Sequence, residues 1–161
     1  MHIEAKLQER GLILPEPMKA PPNMRLPFAP VRVRGTRAYI SGVGPLNPDG
    51  SLAEPLGKVG ADLTLEQGYQ AARLTGLAIL AALKRELGDL DRVVAWIHAL
   101  GMVNAAPGFV QMPSVINGFS DLIIELYGPE VGAHARSAVG LAELPVRIPV
   151  EIEAEVEIAS E

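Results

Sequence analysis

The chain is expected to fold as an α+β layer, a mixed β-sheet with two long helices packed on one face. Three observations predict it. From Pro149 the sequence alternates strictly, with Val150, Ile152, Ala154, Val156 and Ile158 on one side and Glu151, Glu153, Glu155 and Glu157 on the other, the period of a half-buried strand. Two other stretches, 64–87 and 113–126, carry apolar residues at steps of three and four, the period of a helix with one buried stripe. Between them, Arg92 to Val103 is apolar on both faces, which places that strand inside a sheet.

A chain of 161 residues is near the size of one domain and can bury most of its apolar surface in one core. We expect residues 1–161 to be a single domain, with 1–29 as an N-terminal arm and Pro-rich lead-in. Hydrophobic residues make up 48% of the chain and mean hydropathy is +0.22, rich enough that another copy of the chain is expected to cover some apolar surface. There are no cysteines, so a disulfide framework, a thiol nucleophile and thiolate metal ligands are excluded. Residues 1–10 are charged and form no apolar signal core, and no apolar run approaches ~20 residues. A cytoplasmic protein without membrane contact is the expectation. A net charge of −5 with only 4% aromatics argues against nucleic acid, which wants a basic face or stacking rings.

Taken in order, His2 to Leu14 is predicted as a short amphipathic helix with Ile3 and Leu7 on one side. Six prolines between Pro15 and Pro30 forbid helix or central strand there, leaving an extended or a flexible lead-in. Pro30 to Arg34 is the first strand, Gly35-Thr36 a turn, and Ala38 to Ser41 the second strand. Pro48-Asp-Gly50 is a turn in which proline presets φ and glycine takes a positive φ. A surface loop then runs to about Asp62. Thr64-Leu-Glu-Gln67 has the form of a capping box and opens the first long helix, whose stripe of Leu65, Tyr69, Ala72, Gly76, Ile79, Leu83 and Leu87 ends at Gly88. Pro113 sits where the first turn of a helix tolerates it. Val115, Phe119, Leu122, Ile123 and Leu126 are the stripe of the second long helix, ending before Gly128. The expected order is β-β-α-β-α-β-β, with the last two strands joined by a Pro-marked turn.

Arg136 stands first among candidate site residues. A guanidinium is a planar fork that matches a carboxylate bidentately, and Ala135 and Ser137 beside it are small enough to leave it accessible. The other reading is an arginine answering the glutamates of a neighbouring strand. If the last two strands pair antiparallel with Ala142 opposite Pro149, Arg136 faces Glu155, and Glu151 lies on the same face ~13 Å away. His134 precedes Arg136 by two and shares its face. His98 reads as a packed histidine beside Trp96 and Leu100. His2, His98 and His134 have no metal-ligand spacing. Gly57-Lys58 lacks the spacing and the hydroxyl of a phosphate-binding loop, and no dinucleotide fingerprint is present. No metal or cofactor is expected.

The run Arg136-Ser-Ala-Val-Gly-Leu-Ala-Glu-Leu-Pro145, followed by Val150-Glu-Ile-Glu-Ala154, resembles the C-terminal signature of the RidA/YjgF family of small proteins. Tyr39-Ile-Ser-Gly42 is similar to that family's early strand. Gly57-Lys-Val-Gly60, Gly88-Asp-Leu-Asp-Arg92 and His134-Ala-Arg-Ser137 resemble a longer-chain, endoribonuclease-like branch. The resemblance implies a chorismate-mutase-like fold and a homotrimer with clefts at the subunit interfaces. It also implies a cofactor-independent hydrolysis of small 2-imino or enamine acids to 2-keto acids and ammonia. By that resemblance Arg136 binds the substrate carboxylate, Glu151 positions or activates a water, and Asn117, Ser41, Phe28 and His134 line the pocket. Two positions depart from the family's usual pattern: Phe28 stands where imine-hydrolysing members commonly have tyrosine, and Val43 where they read glutamine. A trimeric module that binds keto acids or related small carboxylates without turnover is the alternative.

Overall fold

The computed structural model describes residues 2–161. Helix α1 (His2–Glu9) is followed by strands β1 (Val31–Arg34) and β2 (Arg37–Val43), helix α2 (Leu65–Leu87), strand β3 (Val93–Asn104), helix α3 (Met112–Val131), and strands β4 (Ala135–Leu141) and β5 (Val150–Ile158). The five strands form one mixed sheet in the order β1-β2-β5-β3-β4. Its β3–β4 pair is parallel and the other pairs are antiparallel.

Helix α2 opens as its sequence predicts: the Gln67 backbone N–H donates to Thr64 Oγ1 at 3.1 Å, and the Thr64 N–H donates to Gln67 Oε1 at 2.9 Å. Two donors that the first helical turn leaves without partners are thereby satisfied. The expected α3 stripe is fully buried, with Val115, Phe119, Leu122, Ile123 and Leu126 at 0% exposure, each such side chain being worth about 1.5–3 kcal/mol. Gly128, at φ 81°, breaks the helix where its apolar stripe ends. Helices α2 and α3 meet at backbone distance: a Cβ on Gly118 would lie 2.0 Å from the Tyr69 carbonyl oxygen. The lead-in runs extended over the surface and is pinned where Glu16 N–H donates to Pro48 O and Lys19 N–H to Gly50 O.

Both helices cover one face of the sheet. Val150, Ile152, Ala154, Val156 and Ile158 point into that core, and the glutamates between them stand on the open face. Beside them on β3 lie Leu100 and Met102, half-buried in a single chain.

The pairing of the last two strands differs from expectation. They are not neighbours, because β3 lies between them. A strand apolar on both faces gains most from a central position, and α3 delivers β4 back as its parallel partner, as a strand–helix–strand crossover does. Arg136 is therefore opposite Ala99, while Glu155 pairs with Tyr39 on one side and His98 on the other. His98 differs too: an irregularity between Trp96 and His98 sends Trp96 into the core, 2% exposed, and leaves His98 on the open face. Trp96 packs edge-on against Phe119 and Tyr127, with ring centroids 6.0 and 5.6 Å away.

Candidate functional site

Strand β4 is an edge strand whose residues alternate between the helix side and the open side. Arg136, opposite the buried Ala99, reaches to the helix side and lies against α3. Pro113, Asn117 and Ser120 follow one another at steps of four and three along α3, so they form one ridge. The guanidinium spans that ridge. Its Nη2 donates to Pro113 O at 3.1 Å and to Asn117 Oδ1 at 2.8 Å, and its Nη1 donates to Ser120 Oγ at 2.9 Å. All three acceptors are neutral, and no carboxylate of the described residues comes within ion-pair distance. The glutamate ladder is served instead by Arg37, whose Nη1 lies 3.1 Å from Glu155 Oε1. Partial burial pulls the Arg136 pKa below the ordinary arginine value, and Asp121 works against that shift. Asp121 itself accepts the Tyr69 hydroxyl proton at 2.7 Å.

His134 joins the same group from the turn before β4. Its Nδ1 lies 2.8 Å from Gly132 O and its Nε2 lies 2.9 Å from Ser120 Oγ. Phe119 packs edge-on against the imidazole at 5.5 Å. Burial is the main force lowering the His134 pKa. The Gly132 bond opposes it, and the charges of Arg136 and His98 add to it.

Glu151 lies elsewhere. It pairs with Met102 on the open face, and its carboxylate rests over Gly42, where an added Cβ would lie 2.6 Å from Oε2. Strand β2 carries one extra residue here, since the register steps from Ile40↔Ala154 to Val43↔Ile152. Such a bulge re-aims the backbone and brings Gly42 under the carboxylate. Burial raises the Glu151 pKa above the ordinary carboxylate value, with a further push from Glu153. Ser41, in the same bulge, donates its hydroxyl to Ala29 O at 2.7 Å and its N–H to Pro30 O at 2.9 Å. The strand is thus tied to the segment holding Phe28, a residue 56% exposed.

The candidate residues therefore fall into two groups: Arg136, Asn117 and His134 against α3, and Glu151 with Ser41 at the β2 bulge, Phe28 adjoining. Ser120, which bridges Arg136 and His134, was not among the residues the sequence pointed to. The signal was its i+3 spacing from Asn117 on a helix.

None of these residues lines either of two pockets formed by the described residues. A groove of about 530 Å³ lies near Arg136, walled by Lys58, Phe109, Met112, Gly140 and Leu141, and Met112 immediately precedes the Pro113 that holds the guanidinium. A smaller pocket of about 150 Å³ lies beside α2 at Leu63, Gln67 and Leu74. Among the described residues, only Glu4, Asp89 and Asp91 bring three metal-ligating side chains together. These staple α1 to the turn before β3: Asp91 accepts the His2 and Ile3 N–H groups, and Glu4 accepts Lys84 Nζ and the Leu90 N–H. No helix of the described residues is long and apolar enough to cross a membrane.

The family model described as "YjgF/chorismate_mutase-like, putative endoribonuclease" matches residues 4–150. Protein TCP17 of Trypanosoma cruzi is 38% identical over 97% of this chain and 94% of its own. The crystal structure of Atu1372 from Agrobacterium tumefaciens, a protein of unknown function, is 38% identical and superposes with a TM-score of 0.86 over 98% of this chain and 94% of that one. Escherichia coli TdcF, solved with bound serine, shares the fold at 16% identity and a TM-score of 0.61, covering 89% of this chain and 99% of that one. With the mixed sheet and its one-sided helix layer, these matches establish that the chain belongs to the RidA/YjgF family and has its chorismate-mutase-like fold.

Proposed function

We propose that this protein hydrolyses small 2-imino or enamine acids to 2-keto acids and ammonia, in clefts at the seams of a homotrimer. The observation that carries this reading is the state of Arg136: a guanidinium presented on an edge strand by three neutral acceptors, with no carboxylate of the described residues as partner. A guanidinium suits a bidentate bond to a substrate carboxylate, and one formed here would take over N–H groups now given to neutral acceptors. Trimeric assembly is typical of the family, and TdcF was solved with bound serine, a small molecule that carries an α-carboxylate.

With the carboxylate on Arg136, the imine carbon is held for attack by water. Glu151, supplied by a neighbouring copy across the seam, accepts a proton from that water as its oxygen bonds to the C=N carbon. The nitrogen takes up the proton held by Glu151 and the one shed by the new hydroxyl, the C–N bond breaks, and ammonia leaves as the C=O forms. Imines of this kind hydrolyse in water unaided, so orientation of the reactants supplies most of what is needed. No cofactor enters the reaction. The groove beside Met112 and Gly140 has room for an apolar substrate side chain.

The second reading is a keto-acid binding module, and one observation favours it: Arg136 and Glu151 of one chain are not within reach of each other. Binding needs Arg136 alone. The deciding experiment generates an imine in situ from threonine with a dehydratase and follows keto-acid appearance. Acceleration over buffer that is lost in Arg136→Ala supports hydrolysis. No acceleration, with 2-ketobutyrate binding that is lost in Arg136→Ala, supports the module, and an Arg136→Ala protein of full activity rejects the site.

A further inference from the structure

The hydrogen bonds around Arg136 form an ordered chain whose direction follows from donor and acceptor chemistry. Gly132 O can only accept, so His134 Nδ1 carries the proton of that 2.8 Å bond. In the neutral ring this leaves Nε2 as a bare acceptor. Ser120 Oγ, 2.9 Å from Nε2, must then donate its single proton to the imidazole. Its lone pairs are left to face Arg136 Nη1, also 2.9 Å away. One backbone carbonyl thus dictates, through two side chains, which face of a serine hydroxyl the guanidinium meets.

From this we infer that Ser120 and His134 are positioning residues for Arg136: a neutral, Nδ1-protonated His134 locks the Ser120 hydroxyl so that it accepts from the guanidinium and holds the fork in its carboxylate-binding orientation. The inference deepens the function proposed above and rests on it for the identity of the ligand.

The packing supports a neutral ring. Phe119 closes its edge from α3. The charged or titratable groups acting on it are Arg136 on β4 and His98 on β3, and both disfavour a second proton, as burial does. From α3 the nearest carboxylate, Asp121, acts on Arg136 and is bonded to Tyr69. Protonation would turn Nε2 into a donor and oblige Ser120 Oγ to accept from two cations at once. The lock needs the uncharged imidazole.

The test uses the full chain, selectively labelled with ¹⁵N at histidine and arginine, and 2-ketobutyrate as ligand. At pH 7 His134 should show a protonated Nδ1 and an unprotonated Nε2, and the Arg136 Nη resonances should be resolved by slow rotation. Ser120→Ala should average the Arg136 pair and weaken 2-ketobutyrate binding about tenfold, the scale of one charge-assisted hydrogen bond. Ser120→Thr, which keeps the hydroxyl, should restore both. His134→Phe, which keeps the ring contact, should match Ser120→Ala, and the double variant should lose no more than either single change because both break one chain. A charged or Nε2-protonated His134, Arg136 resonances unchanged in Ser120→Ala, or additive losses would each overturn the inference. The ligand-free resonances separate the two levels: a wild type with the expected signature that binds no keto acid leaves the relay standing and removes the proposed function.

Discussion

Arg136 and Glu151 stand on opposite faces of one sheet. Arg136 aligns with Ala99 and through it with Ala154, on the helix side, while Glu151 aligns with Met102 on the open side. With β3 between their strands, they are two strand spacings apart, ~10 Å, and three residues along, ~10 Å again. A substrate touching both must lie between two copies of the chain. Arg136→Ala and Glu151→Gln should each be inactive alone, and subunits of the two mixed, dissociated and reassembled should recover activity, because some seams then hold both native residues. Mixed assemblies as inactive as their parents would show that the two residues do not share a cleft.

Glu151→Gln should retain 2-ketobutyrate binding within about twofold and lose roughly 10²–10⁴ in imine hydrolysis, the usual worth of a general base. Because burial and Glu153 raise the Glu151 pKa, the wild-type rate should fall with decreasing pH from above the ordinary carboxylate range, and Glu151→Gln should lack that limb. The stability sign is the reverse of a paired carboxylate. Between the unfolded and the higher folded pKa the native state holds more protons, so stability is lost as pH rises through that window. Glu151→Gln should therefore melt above the wild type at pH 7 and match it in acid, as differential calorimetry would show.

Two glycine substitutions should separate site from scaffold. At Gly42 an added Cβ meets the end of a flexible side chain, Glu151 Oε2 at 2.6 Å, whereas at Gly118 it meets backbone, the Tyr69 carbonyl at 2.0 Å. Gly42→Ala should fold and assemble normally while losing activity, since only the carboxylate must move. Gly118→Ala must push two helices apart and should cost about 3 kcal/mol or more. Equal loss of stability in urea titrations of the two variants would contradict this.

His134 contributes a pH dependence of its own. Its folded pKa is depressed, so the unfolded chain binds a proton more readily, and stability is lost as pH falls below the ordinary histidine value of about 6.5. In His134→Phe that contribution is removed. Urea unfolding of wild type and variant from pH 7.5 downward should give free energies that converge or cross as the wild type loses ground. Curves that stay parallel would place no burial cost on this ring.

Much of this architecture was legible because its signals are local. The Thr64 capping box, the α3 stripe from Val115 to Leu126 and the alternation from Val150 to Ile158 each depend on residues a few positions apart. The partners of β4 depend on β3, some forty residues upstream, so the pairing of neighbouring strands through a short turn was the simpler inference and the wrong one. The same inference had placed Arg136 opposite Glu155. A single irregularity in β3 was enough to move His98 from core to open face, and strand periodicity carries no warning of it. The Arg136 cradle was half visible, since Asn117 came from the family motif while Ser120, one helical turn on, carries no motif and needs the three-dimensional ridge to be seen.

The neutral cradle of Arg136 has a consequence for how any ligand arrives. An anion docking on this guanidinium would meet no carboxylate of the described residues and would compete only with the neutral acceptors Pro113 O, Asn117 Oδ1 and Ser120 Oγ. Chloride and phosphate would face the same neutral competitors. Affinity for an organic acid should decline as simple salts are added, through occupation of one place as well as through general screening.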